Sequence, residues 1–163
     1  MKRLILVRHA KSSLNQPLVS DHERILNQTG ISEAKLIGQY LSNNKYTPCH
    51  IISSTATRTL ETANSIIEQL KFKNKIETQS LIYTDSILNI LNLINNIDDQ
   101  YQCVMLVGHN PTITQLINHI ANRKIDHVPT CGTGIVDFKV TWNSVTEDGE
   151  LIDFIWPGKL KYN

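Results

Sequence analysis

The stretch that decides the fold is Leu4-Ile5-Leu6-Val7-Arg8-His9-Ala10-Lys11-Ser12. Its first four residues are apolar without a polar alternation, the pattern of a strand covered by helices on both faces of its sheet. The run stops at Arg8 and a polar stretch follows. Further along, Ile31, Ala34, Ile37 and Leu41 recur at helical spacing behind Thr29-Gly30, until Asn43-Asn44 breaks the pattern. Ile51-Ile52 resumes a strand. Leu60, Ala63, Ile67 and Leu70 mark the inner face of a second helix, and a third runs from about Ser86 with Ile87, Ile90, Leu91, Ile94 and Ile97. Val104 to Val107 is another buried strand. Asn110-Pro111 then reads as an N-cap followed by proline in the first helical position, where its missing N–H is not needed, with helix through about Ala121. At the end, Val136, Phe138 and Val140 alternate with polar residues, and a Glu147-Asp148-Gly149 turn leads into Leu151 to Trp156, which predicts an antiparallel edge hairpin. The rhythm as a whole is α/β.

Bulk properties bound the rest. A chain of 163 residues with 40% hydrophobic content buries one respectable core, so residues 1–163 are read as a single domain, without repeats, low-complexity tracts or linkers. The formal net charge is +1, from 16 basic and 15 acidic residues, so no broad basic field exists for nucleic acid or an anionic membrane; any attraction for anions is local. Cys49, Cys103 and Cys131 form no CxxC pair, which favours a reducing compartment. The apolar run near the amino terminus is too short for a signal peptide or a spanning helix. These features together predict a cytoplasmic protein.

Three strand ends carry Arg or His, and open α/β sheets place their ligands at the carboxyl ends of strands. They are Arg8-His9-Ala10-Lys11-Ser12, with Asn15 beyond it; Ser53-Ser54-Thr55-Ala56-Thr57-Arg58; and Val107-Gly108-His109-Asn110-Pro111. Phosphoryl transfer explains such a grouping. Charge in its transition state spreads over equatorial oxygens, which calls for forked donors such as Arg and little covalent machinery beyond a nucleophile. A neutral imidazole attacks phosphorus and splits one hard displacement into two easier ones. His9 is the candidate nucleophile, and backbone N–H groups at the helix starts near Arg58 and after Asn110 add positive potential. Taken singly, each residue has a plainer reading. His9 is a cap or a solvent-facing side chain, Arg58 a surface arginine on an amphipathic helix, and His109 the end of its strand, while Ser12, Asn15, Ser53 and Ser54 are ordinary turn residues. Their joint position at three strand ends is what structural need alone does not explain.

Together, Arg8-His9-Ala10-Lys11-Ser12, Ser54-x-Ala56-x-Arg58-x-x-Glu61-Thr62-Ala63 and Val107-Gly108-His109-Asn110-Pro111 resemble the histidine phosphatase superfamily, in its phosphoglycerate mutase-like branch and its short SixA-type phosphohistidine phosphatases. The resemblance runs from Leu4 into the carboxy-terminal hairpin, and residues 21–30 look like that family's linker between nucleophile loop and first helix. It implies a three-layer α/β/α domain with a mixed, mostly parallel sheet. It also implies a pocket of Arg8, His9, Arg58 and His109, with His9 phosphorylated and the other three on the phosphoryl oxygens. Ser12 and Asn15 match the RHGxSxxN form of the superfamily, and Arg24 matches an arginine beside the groove. Ala10, Thr55 and Ile25 depart from the usual Gly, Pro and Pro.

A general acid is harder to find. Asp21, Glu23 and Asp85 are the candidates, although Asp85 also suits the N-cap of the next helix and the other two suit solvated loop positions. A protonated imidazole leaves without a dedicated acid, so an acid-poor site points toward phosphohistidine on a protein such as a phosphorelay domain. Rival readings are a small-molecule or sugar-phosphate phosphatase of the same superfamily, and a binding module that recognises phosphate without turnover. No cofactor or metal is expected, because no cluster of Asp, Glu and His has ligand spacing. Oligomeric state is not legible.

Overall fold

The computed structural model describes residues 1–13, 17–84 and 86–161. The leading apolar run lies inside strand β1 (Lys2–Arg8), which pairs in parallel with β4 (Cys103–Gly108) on one side and antiparallel with β5 (Thr133–Phe138) on the other. Strands β2 (His50–Ser53) and β3 (Glu77–Thr78) extend the sheet beyond β4, and β6 (Glu150–Ile155) closes it beyond β5. The order is β3-β2-β4-β1-β5-β6, with the first four parallel, β5 antiparallel to β1, and β6 antiparallel to β5. This is the mixed, mostly parallel sheet expected.

Continuous apolarity in β1 has its cause in the two layers that cover it. Ile5 and Val7 pack with Ala34 and Ile37 of α1 (Gln28–Asn43) and Ala63 and Ile66 of α2 (Thr57–Leu70). Leu4 and Leu6 face the other way, against Ile90 and Ile94 of a helix spanning Ile87–Asn95 and Leu116 and Ile117 of one spanning Thr112–Ile120. The short helix Leu81–Thr84 precedes the first of these, so in chain order they are α3 (Leu81–Thr84), α4 (Ile87–Asn95) and α5 (Thr112–Ile120). A last short helix, α6 (Pro157–Lys161), follows β6. Leu4, Ile5, Leu6 and Val7 are each 0% exposed. Each such side chain contributes about 1.5–3 kcal/mol.

Four expectations need correction. Helix α2 turns Thr59, Thr62 and Ser65 inward beside Ala63 and Ile66, while Ile67 is only partly buried, so its inner face is more polar than the apolar spacing predicts. Pro111, not Asn110, occupies the cap of α5, because Asn110 spends its side chain elsewhere: its Nδ2 donates to Val128 O at 3.0 Å and its Oδ1 accepts from Thr114 Oγ1 at 3.0 Å. Ser86 holds the N-cap position of α4; Asp85, like Asn15, lies outside the described residues. The β5–β6 pair is antiparallel at the sheet edge, but Val140 is not in it, and residues 139–149 form a long connection that buries Trp142 rather than a tight turn.

Two features set up the site. The chain places β2 one position away from β1 and later inserts β4 between them, so Arg8 lies opposite Gly108 and Val107 opposite Ser53. The carboxyl ends of β1, β4 and β2 thus stand in a row, with their loops over one crevice. Helix α1 also packs its first turn onto the segment after β1. A Cβ on Gly30 would lie 2.1 Å from Lys11 O, so only glycine permits that approach.

Candidate active site

His9 sits just past β1 with its backbone held on both sides: its N–H donates to Gly108 O at 3.0 Å, and its carbonyl accepts from Cys131 N at 3.1 Å. Cys131, the donor of that second bond, has φ 58°, in the left-handed region that non-glycine residues seldom adopt. The His9 side chain is fixed as well. Nδ1 lies 2.8 Å from Ala10 O, and a carbonyl only accepts, so Nδ1 carries the proton and Nε2 keeps a free lone pair. Burial, reinforced by Arg58, Arg8 and Arg24, pushes the imidazole down to about 4. At neutral pH His9 is an uncharged base with a preset tautomer.

His109, past β4, lies with its ring centroid 5.3 Å from that of His9. Arg58 Nη2 donates to its Nδ1 at 3.3 Å, because guanidinium cannot accept, which leaves Nε2–H to donate to Ser54 Oγ at 2.9 Å. Burial and the nearby Arg58 push His109 down to about 3. Arg58, in the first turn of α2, is buried rather than on the surface. It donates through Nη1 to Asp21 O at 2.5 Å and through Nη2 to Asp21 Oδ2 at 3.0 Å, while its Nε is buried without a partner. Helix α2 has no side-chain cap and no acidic residue in its first turn, so its N-terminal potential is left for an anion.

Arg8 closes the other side, where its Nη1 donates to Val128 O at 2.9 Å and meets His127 Nε2 at 2.8 Å; its Nε is also buried without a partner. Arg24 donates to Ser12 Oγ at 3.0 Å and to Asp21 Oδ1 at 2.9 Å. An open groove over these strand ends is lined by Arg8, His9, Lys11, Ser12, Arg24 and Thr130. The structure therefore brings together His9, Arg58 and His109, sets Arg8, Ser12 and Arg24 around them, and leaves Asn15 and Asp85 undescribed.

Asp21, a candidate general acid, is tied to three partners. Tyr83 Oη donates to its Oδ2 at 2.8 Å, and that bond, with the charges of Arg58 and Arg24, holds the carboxyl down to about 2. Glu23 is exposed and accepts from Ser20 Oγ at 2.8 Å.

Several partners escaped the sequence reading. In the segment 54–63, Ser54 orients His109, Glu61 Oε2 accepts from Leu26 N at 2.6 Å, and Thr62 Oγ1 accepts from Ala10 N at 3.0 Å while donating to Arg58 O at 2.6 Å. All three stand in the quoted Ser54 to Ala63 motif, which marks them without giving their partners. Tyr83, whose ring stands 5.4 Å from His109, and His127 had none, since each arrives from a distant part of the chain.

Among the described residues no group of three His, Cys, Asp or Glu side chains is placed to hold a metal ion, and no helix is long and apolar enough to cross a membrane.

Comparison with known proteins agrees with this geometry. Residues 4–82 match the model of the histidine phosphatase superfamily, branch 1. The crystal structure of the Agrobacterium tumefaciens chain assigned as the phosphohistidine phosphatase SixA superposes with a TM-score of 0.83 at 30% identity, covering 96% of this chain and 99% of that one. An uncharacterized chloroplastic protein of Arabidopsis thaliana is 45% identical over 69 residues, which are 42% of this chain and only 32% of the plant protein. An uncharacterized protein of Mycobacterium leprae is 28% identical over 165 aligned residues, covering 93% of this chain and 99% of its own length. With its strand ends, its paired histidines and its arginines so arranged, the chain belongs to the histidine phosphatase superfamily and is SixA-type.

Proposed function

We propose that this chain is a phosphatase whose substrate is phosphohistidine on a protein. His9 Nε2 attacks phosphorus, the bond to the leaving nitrogen breaks, and water then cleaves the phosphoryl group from His9 to regenerate the imidazole. Arg8 and Arg58 bind the phosphoryl oxygens with forked, charge-assisted hydrogen bonds, and Ser12 and Arg24 contribute at the rim. His109 enters the reaction neutral and orients Arg58. A dianionic phosphoryl group beside it would raise its affinity for a proton.

The observation that carries the substrate reading is the state of Asp21. Tyr83, Arg58 and Arg24 all favour the anionic form of the carboxyl nearest the arginines, which argues against its serving as a proton donor. A site without a proton donor discriminates by leaving group. Imidazole protonated from solvent leaves unaided, a phenolate leaves with less ease, and an alkoxide leaves poorly.

The test is kcat/KM for a protein phosphohistidine, an aryl phosphate and an alkyl phosphate, each with and without a chelator. The expected order is histidine, aryl, alkyl, unchanged by chelation. An alkyl ester or a sugar phosphate hydrolysed as fast as phosphohistidine would move the assignment to a small phosphomonoesterase. Phosphate binding without any turnover would make the chain a recognition module.

A further inference from the structure

Lys11 and Thr130 line two grooves at once. On one side is the groove over His9, and on the other a second groove continues past Pro129 to Trp156, Pro157 and Lys161, with Glu33 at its floor. Glu33 Oε1 accepts from Lys11 Nζ at 2.9 Å and from Lys161 Nζ at 3.3 Å. The carboxylate is almost fully buried, at 5% side-chain exposure, whereas the two lysine side chains are 48% and 49% exposed. One carboxylate thus anchors two ammonium groups and neutralises only one of them. Lys159 is outside the lining of this groove but stands close by, its Nζ 5.6 Å from the centroid of the Trp156 ring and donating to Phe154 O at 2.8 Å. In a chain whose formal net charge is +1, this local surplus is not a general basicity. The groove offers fixed positive charge beside an aromatic wall and opens into the phosphoryl site.

We propose that this second groove binds an acidic segment of the phosphorylated protein substrate, adjacent to its phosphohistidine. The proposal rests on the phosphohistidine reading above and adds how the partner is chosen. An extended segment carries carboxylates to Lys11 and Lys161 while an aliphatic or aromatic side chain lies on Trp156. Such a surface pairs by charge, so it weakens as salt is added.

The experiment compares two phosphohistidine peptides, one flanked by Asp and Glu and one by Ser and Gln, with an aryl phosphate as control, for wild type, Lys161→Gln and Lys161→Glu. Lys161 lies outside the phosphoryl pocket, so the aryl phosphate rate should hold within about twofold. The acidic peptide should exceed the neutral one by about tenfold in kcat/KM in wild type, mostly through KM, with the advantage reduced by Lys161→Gln and abolished by Lys161→Glu or by high salt. Equal rates for the two peptides, or equal losses for both in Lys161→Glu, would overturn the proposal. So would a small bisphosphate that shows the Lys161 dependence while the peptides do not, which would make the groove a second phosphate subsite. An unphosphorylated acidic peptide is run as a competitor of aryl phosphate hydrolysis. Inhibition lost in Lys161→Glu supports the groove even if neither phosphopeptide is hydrolysed, and that second result would count against phosphohistidine alone.

Discussion

Around His9 and His109 the polar contacts run to backbone groups, buried hydroxyls and the buried Arg58 guanidinium, whereas on the Arg24 and Lys11 side they run to carboxylates in ion pairs that reach solvent. The floor of the pocket is preset: both imidazole tautomers are chosen by neighbours that can only accept or only donate. At the rim, Asp21 is 56% exposed and its pairings are open to exchange with an incoming anion. Bond-making is thereby assigned to the part that does not adjust, and recognition to the part that does.

The largest break comes from the floor. His9→Ala should lower turnover by roughly 10⁴-fold or more with the fold retained, since one nucleophile does work no neighbour replaces. Acid quenching destroys the expected phosphoramidate and alkali preserves it, so alkali-stable label on His9 during wild-type turnover is the direct reading. A folded His9→Ala with wild-type rates would end the mechanism. Next come Arg58→Ala and Arg8→Ala, each expected to remove about 3–4 kcal/mol of transition-state stabilisation, with lysine a poor replacement because it lacks the fork. If kcat/KM barely moves in either, that arginine is structural.

Thr62→Val asks whether the floor depends on its scaffold. Thr62 Oγ1 serves both Ala10 N and Arg58 O, so the substitution strands a buried N–H beside the nucleophile and should cost about 1–3 kcal/mol of stability, with kcat falling more than KM rises. Unchanged denaturant midpoints would show that the bond is redundant.

Acidity gives a fourth test. His9 and His109 are depressed from 6.5 to about 4 and about 3, so between those values and 6.5 the unfolded chain binds protons that the folded one does not. Stability should be fully present above pH 6.5 and should fall as pH drops toward 4, and His9→Ala should flatten part of that slope. Melting temperatures that stay level from pH 7 to 4.5 would contradict the burial account.

The smallest effect belongs to the rim. Asp21→Asn should alter KM by a few-fold, leave the preference for phosphohistidine over alkyl phosphate intact, and loosen Arg58. Fast alkyl ester hydrolysis that collapses in this variant would show that Asp21 delivers a proton after all.

The same division explains what the sequence reveals. Strands sandwiched between helix layers have to be continuously apolar, so Leu4–Val7 and Val104–Val107 stand out, and the Arg and His residues that follow them mark the site. The inward Thr59 and Thr62 look like surface residues until the loops they bond to are known. Tyr83 and His127 reach the pocket only through tertiary packing, and the ionisation of Asp21 follows mainly from Tyr83 and Arg58, both far from it in the chain. Pairing across space leaves no periodic trace.

Because β4 joins the sheet between β1 and β2, the strand ends leading to His9 and Arg58 are not side by side until residues 103–108 have inserted. A chain emerging during synthesis as far as residue 82 already has the nucleophile and both arginines but lacks the strand that spaces them and His109 that orients Arg58. Helices and neighbouring contacts form early in folding, and parallel strand insertion between distant segments forms late. Hydrolytic competence is therefore a terminal event of folding: in refolding experiments, aryl phosphate hydrolysis should return with the final tertiary phase and not with the recovery of helix.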